Sequence, residues 1–171
     1  MRYFIAVDLP EKIKETLKNI KFDNSAILVL PSDYHLTLKF LGDVNESKLE
    51  RVKRELHKIK FKPFKLRLSS IEFFPRKGNF IRVIWMGITP KRKVIKLKED
   101  IDNILMSLFE REKIFEPHVT LGRVKTIKDR KKLLELRDLQ IHGRFNVDNF
   151  KLIKSELAGD GAKYEILEEY S

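Results

Sequence analysis

Tyr34-His35-Leu36-Thr37-Leu38-Lys39-Phe40-Leu41-Gly42 and Pro117-His118-Val119-Thr120-Leu121-Gly122-Arg123-Val124 carry one pattern twice. In each, a His and a Thr stand two residues apart with aliphatic residues between and after them. Along an extended strand, residues i and i+2 share a face. Each copy therefore offers an imidazole and a hydroxyl on one side and two apolar side chains on the other.

The elements around the two copies also correspond. Before the first lie a strand, Arg2 to Val7, and a helix opened by Asp8-Leu9-Pro10, with Ile13, Leu17 and Ile20 as its apolar stripe. A short extended segment, 26–30, comes between. After the first copy comes a helix capped by Asn45 or by a Ser47/Glu50 capping box, then a long strand from Phe64. The second half repeats the order. A strand at 80–88 leads through Thr89-Pro90 into a helix bearing Val94, Leu97, Ile101, Ile104, Leu105 and Leu108. The second His-Thr strand follows at 117–124, then a helix over 129–139 and closing strands at 143–154 and 162–168. Phe4 and Phe80, His35 and His118, and Phe64 and Phe145 are all separated by roughly 80 residues, which marks an internal duplication. The expected fold is α+β: one bilobal domain over 1–171, with repeats at about 2–74 and 80–154 and a closing strand to 168. Two βαβαβ units related by a pseudo-two-fold axis form two antiparallel or mixed sheets lining a central cleft, helices outside.

Composition narrows the chemistry. The chain has no cysteine, which excludes disulfides and thiolate ligands and suits a cytoplasmic protein. No stretch is long and apolar enough to span a membrane, and the first ten residues lack a secretory pattern. The net charge of +11 has two explanations, a polyanionic partner such as nucleic acid or a Lys/Glu-rich heat-adapted surface.

Imidazole titrates nearest neutral pH, so one His can accept a proton while another donates. Two of them across a groove suit in-line displacement at phosphorus, with Thr37 and Thr120 donating to the non-bridging oxygens. Such a reaction needs no metal, and the histidines lack metal-site spacing. His57 and His142 have no matching partner and read as surface residues. Arg76-Lys77-Gly78-Asn79, a basic turn, offers a contact for an RNA backbone, although most such turns are solvated surface. Gly159-Asp160-Gly161 reads as a hairpin turn.

The paired HLTL and HVTL, the opening RYFIAVDLP, the stretch HLTLKFLG and the closing SELAGDGAKYEIL resemble the two-histidine phosphoesterase superfamily, and within it the RNA 2′,3′-cyclic phosphodiesterase (2′-5′ RNA ligase-like) family. The resemblance spans the chain. It implies hydrolysis of RNA 2′,3′-cyclic phosphate ends to 2′-phosphomonoesters without metal or other cofactor. The expected partners are RNA ends or cyclic-phosphate nucleotides, and the expected state is a monomer. It makes His35 the proton donor and His118 the acceptor. It assigns a phosphate contact to Arg123, beside those of Thr37 and Thr120, and a base contact to Phe40. Strict alternation puts Phe40 and Arg123 on the face opposite the histidines, so a twist or strand end must intervene if they contribute. The stretch AILVLPSDY lacks the Trp that many relatives carry before the first motif. Two alternatives stand beside this reading: reversible 2′-5′ ligation in the same site, and a non-catalytic RNA-binding protein.

Overall fold

A computed structural model describes residues 1–75, 80–159 and 161–171. The chain is α+β, with strands β1 (Arg2–Asp8), β2 (Ala26–Val29), β3 (His35–Gly42), β4 (Phe64–Phe74), β5 (Val83–Thr89), β6 (His118–Ile127), β7 (Arg144–Val147), β8 (Phe150–Ala158) and β9 (Gly161–Tyr170). Its helices are α1 (Glu11–Lys18), α2 (Glu46–Leu56), α3 (Lys91–Ile104) and α4 (Arg130–Leu134), the last continuing as a 3-10 turn over Glu135–Asp138. No described helix is long and apolar enough to cross a membrane.

The two expected sheets are the wings of one hydrogen-bonded network whose pairings are all antiparallel. The strand order is β7-β4-β5-β6-β3-β1-β8-β9, with β2 also paired to β6. One wing holds β3, β1, β8 and β9; the other holds β6, β5, β4 and β7. They meet in register at a single pair, Leu36 opposite Val119. The strand entered from α2, β4, lies in the wing of β5 and β7 rather than beside β1.

Several boundaries differ from the sequence expectation. The stretch 143–154 is two strands in different wings, β7 beside β4 and β8 beside β1, separated at Asp148-Asn149. The helix expected over 129–139 keeps α-geometry only to Leu134. Phe80 precedes β5, which begins at Val83. Asn45, not Ser47, caps α2, accepting from the Lys48 backbone N–H at 2.8 Å. Pro10 and Pro90 are the N-caps of α1 and α3, with no side-chain cap hydrogen bond, and Asp8 closes β1 instead of capping a helix. Arg76-Lys77-Gly78-Asn79 and Asp160 lie outside the described residues. Around the latter, Ala158 pairs with Gly161 as a hairpin requires.

The core lies between the sheet and its helices. Leu36, Leu38, Val119 and Leu121 from the two motifs join Val52 and Leu56 of α2 and Val94 and Ile101 of α3. Burying aliphatic side chains of this kind contributes roughly 1.5–3 kcal/mol each. A charged cluster, buried except at Glu112, lies beside this core. Lys39 Nζ donates to Asp102 Oδ1 of α3 at 2.8 Å, to Glu112 Oε2 at 2.9 Å and to the Glu110 carbonyl at 3.0 Å. Lys98 contacts the same two carboxylates. Two ammonium groups thus face two carboxylates, and β3 is bound to the helix behind it. Lys39→Ala leaves the buried Asp102 with fewer partners. We expect it to lower unfolding free energy by roughly 3–5 kcal/mol in urea titration with an unchanged m-value; a loss below 1 kcal/mol would mean that the cluster does not anchor β3.

Candidate active site

The junction of the wings determines where the motif residues stand. Leu36 and Val119 are fully buried, so their neighbours His35, Thr37, His118 and Thr120 face the other way, into the concavity. The antiparallel sense of that pair sets Thr37 toward His118 and Thr120 toward His35. The two histidines lie on one diagonal of a block and the two threonines on the other.

Both strands then break alternation at the same motif position. In β1–β3 pairing, Ile5 is opposite Lys39 and Ala6 opposite Thr37, so Leu38 is the extra residue. In β5–β6 pairing, Ile84 is opposite Gly122 and Trp85 opposite Thr120, so Leu121 is extra. Each is a β-bulge, which shifts the facing of all later residues by one. Leu38 and Lys39 are both buried, as are Leu121 and Gly122, and Phe40 and Arg123 turn outward onto the histidine face. At the first bulge the inward side chain is Lys39; at the second it is Gly122, against which β2 packs. A Cβ on Gly122 would stand 3.3 Å from Leu28 Cδ1 and 3.5 Å from the Val29 carbonyl.

The resulting cleft has a volume of about 650 Å³. His35, Thr37, Phe40, Thr120 and Arg123 line it, together with Arg2, Phe4, Asp33 and Tyr164. The sequence-selected residues are thereby assembled in one place, except that His118 lies just outside the lining, two residues before Thr120. A larger cavity of about 810 Å³ lies between the segment 58–64 and α3, and no motif residue lines it.

The two imidazoles have different surroundings. The His35 side chain is 8% exposed, and its ring is edge-on to Tyr164 at 4.8 Å and to Phe4 at 5.5 Å. Its Nε2 is 3.6 Å from Asp33 Oδ2 and 3.9 Å from Asp8 Oδ1. Lys14 Nζ stands 3.0 Å from Asp8 and 2.9 Å from Asp33, and Lys151 reaches Asp8 at 3.3 Å. Burial pushes the His35 pKa below its ordinary 6.5; Asp33 and Asp8 pull it up, while Lys14 and Lys151 push it down, and the balance is a lowered value. Burial opposes ionisation of Asp8, yet the Lys14 hydrogen bond and the charges of Lys14, Lys151 and His35 outweigh it and hold the carboxyl below its usual range. Asp8, Asp33 and His35 could together offer three ligands to a cation, but the Lys14 ammonium already bridges the two carboxylates.

His118 has a simpler environment. Its Nδ1 is 2.7 Å from the Glu116 carbonyl, which can only accept, so Nδ1 carries the proton and Nε2 is left free. Trp85 closes the other side edge-on at 5.6 Å, and Lys91 holds Glu116 by an ion pair at 2.6 Å. His57 is not simply solvated, since its Nε2 is 3.1 Å from Glu168 and its ring lies 4.8 Å from Tyr170. Sequence reading missed Asp8, Lys14, Asp33, Tyr164, Trp85 and Arg2. Asp33 was the most accessible of these, two residues before His35; Asp8 becomes visible only once β1 is paired with β3, where it stands opposite His35.

Several known proteins resemble this chain over nearly its whole length. An RNA 2′,3′-cyclic phosphodiesterase from Methanocaldococcus jannaschii is 37% identical over 99% of this chain and 100% of its own length. A family model described as LigT like Phosphoesterase matches residues 6–85. The chain belongs to the LigT-like phosphoesterase family. Among solved members, TT0787 of Thermus thermophilus superposes with a TM-score of 0.80 at 28% identity, covering 99% of this chain and 97% of that one. Escherichia coli LigT complexed with 3′-AMP gives 0.76 at 26% identity, covering 99% and 96%.

Because Asp8 raises the His35 pKa and the two lysines lower it, Asp8→Asn should lower it further. An NMR titration of the His35 ring protons checks this. An unchanged or higher value would remove Asp8 from the site's electrostatics.

Proposed function

We infer that this chain hydrolyses RNA 2′,3′-cyclic phosphate ends, acting on RNA termini or cyclic-phosphate nucleotides. The observation that carries the reading is the diagonal of two imidazoles with a threonine beside each, in a chain whose relatives at 30–37% identity are RNA 2′,3′-cyclic phosphodiesterases.

Water attacks phosphorus and gives up a proton; the P–O3′ bond breaks, and the departing 3′-oxygen takes a proton, leaving a 2′-phosphomonoester. His118 suits the acceptor role. With Nδ1–H held by the Glu116 carbonyl, the Nε2 lone pair is available for the water proton. His35 suits the donor role once substrate is bound, because a phosphate anion in the cleft favours the imidazolium that burial disfavours in the free protein. Thr37 and Thr120 donate to the non-bridging oxygens, and Arg123 adds a cation on the same face. Phe40, exposed beside Phe4 with ring centroids 6.1 Å apart, offers a stacking surface for the base. We propose that the reaction proceeds without a metal and that the protein works as a cytoplasmic monomer.

Turnover of a cyclic-phosphate nucleotide in EDTA tests the activity, with a 2′-phosphate as the expected product. His35→Ala and His118→Ala should each lose roughly 10²–10⁴-fold in kcat. The residual rates separate the roles. In His118→Ala only the donor remains, so its kcat/KM should fall as pH rises through the lowered pKa of His35 in the free protein. In His35→Ala the donor is gone, so that fall should be absent. A fall in His35→Ala but not in His118→Ala would reverse the assignment, and full activity in both variants would refute the mechanism.

A further inference from the structure

On the face that carries His118 and Thr120, the sheet continues past β5 to β4 and β7, and there it carries an arrangement that stability alone does not favour. Arg67 of β4 stands directly opposite Arg144 of β7, and Lys65 stands opposite Asn146. Like charges directly opposite each other across antiparallel strands are destabilising. All four side chains are exposed. Among the described residues, no carboxylate lines this region and none forms an ion pair with Lys65, Arg67 or Arg144. Arg67 Nε donates to Thr89 Oγ1 at 3.2 Å, and no other hydrogen bond of its guanidinium is formed among the described residues. With Thr89, Pro90 and Asn146 these cations line a depression of about 380 Å³.

Register ties this depression to the reactive centre. Gly87 of β5 lies opposite His118, and Thr89, two residues farther on the same face, lies opposite Arg67. The order outward from the catalytic histidine is thus His118, Gly87, Thr89, Arg67, Arg144. Gly87 presents no side chain, and the Ser69 hydroxyl of β4 occupies the space a Cβ would take. The floor between histidine and arginines is therefore low and polar. At the ordinary strand spacing of about 4.8 Å, β4 is roughly 10 Å and β7 roughly 15 Å from β6.

We propose that Lys65, Arg67 and Arg144 form a track for the RNA strand 5′ of the cyclic end, holding its backbone phosphates while the terminal phosphate lies between the histidines. This rests on the cyclic-phosphate reading above and extends it, since a mononucleotide lacks the upstream phosphates that the track would hold. The repulsion between Arg67 and Arg144 is relieved when a polyanion lies between them. Guanidinium groups suit this ligand because their forked donors match phosphate oxygens.

The test compares the parent chain with Lys65→Gln/Arg67→Gln/Arg144→Gln on two substrates, a 2′,3′-cyclic mononucleotide and a single-stranded oligoribonucleotide with a 2′,3′-cyclic end. We expect mononucleotide kcat/KM to stay within about two-fold, oligonucleotide KM to rise about ten-fold, and the thermal midpoint to hold or increase. Fluorescence anisotropy with a labelled oligoribonucleotide ending in a 2′-phosphate reads binding independently of turnover. The slope of log affinity against log salt should flatten by about 2, given roughly 0.7 per lost phosphate contact. Equal oligonucleotide KM and equal salt slope in variant and parent would overturn the track, and so would an equal loss on both substrates. If the parent turned over neither substrate, the activity reading would fail, and the anisotropy slope would still decide whether the track binds RNA.

Discussion

Everything in the cleft depends on one cross-strand pair. Leu36 and Val119 are the point where the wings hydrogen-bond in register, and both are fully buried under the helices. Because strand facing alternates, burying these two residues turns His35, Thr37, His118 and Thr120 into the concavity together. A slip of one residue would bury the imidazoles and expose the aliphatic residues, at a cost of several buried aliphatic side chains. The hydrophobic energy of the core thus enforces the register of the two motifs. The wings themselves share little else at this seam, so the precision of the site comes from packing behind it, including the Lys39–Asp102 contact that fixes β3 on α3.

The two bulges extend the site beyond four residues. A regular strand presents only every second side chain, so a His-x-Thr pattern can add at most the next residue of the same parity. In β3 that residue is Lys39, which lies buried, and Phe40 takes the outward place; in β6 it is Gly122, and Arg123 takes it. Inserting one residue into each strand gives the cleft an aromatic ring on one side and a cation on the other. The inward-turned positions then need special accommodation. Gly122 meets it by having no side chain where β2 crosses close by, and Lys39 by finding two carboxylates and a carbonyl.

How far the sequence could be read follows from the same physics. The His-Thr strands, the helical stripes of α1, α2 and α3, and the α+β class rest on local periodicity, which a sequence displays directly. What stayed hidden depends on pairing between distant segments. Nothing local says that 143–154 divides between two wings, because β7 and β8 both alternate well enough to read as one strand. Parity reasoning identified that Phe40 and Arg123 faced the wrong way without an irregularity, but not that both bulges fall on the motif leucines. Asp8 looked like a helix start, and Lys14 carried no local signal at all. Their role as neighbours of His35 arises from β1 lying beside β3 and from α1 folding its first turn back over that edge.

The near-symmetry of the motifs conceals an electrostatic asymmetry. His35 is enclosed by two carboxylates that raise its pKa and two ammonium groups that lower it, with burial the largest influence. His118 is held by a backbone carbonyl, a neutral partner that fixes a tautomer without adding net charge. A histidine balanced among opposing charges responds strongly to an arriving phosphate, whereas one set by a neutral hydrogen bond keeps its lone pair ready beforehand. The division of labour between two similar motifs can therefore arise in their neighbours, Asp8 and Asp33 on one side and Glu116 on the other.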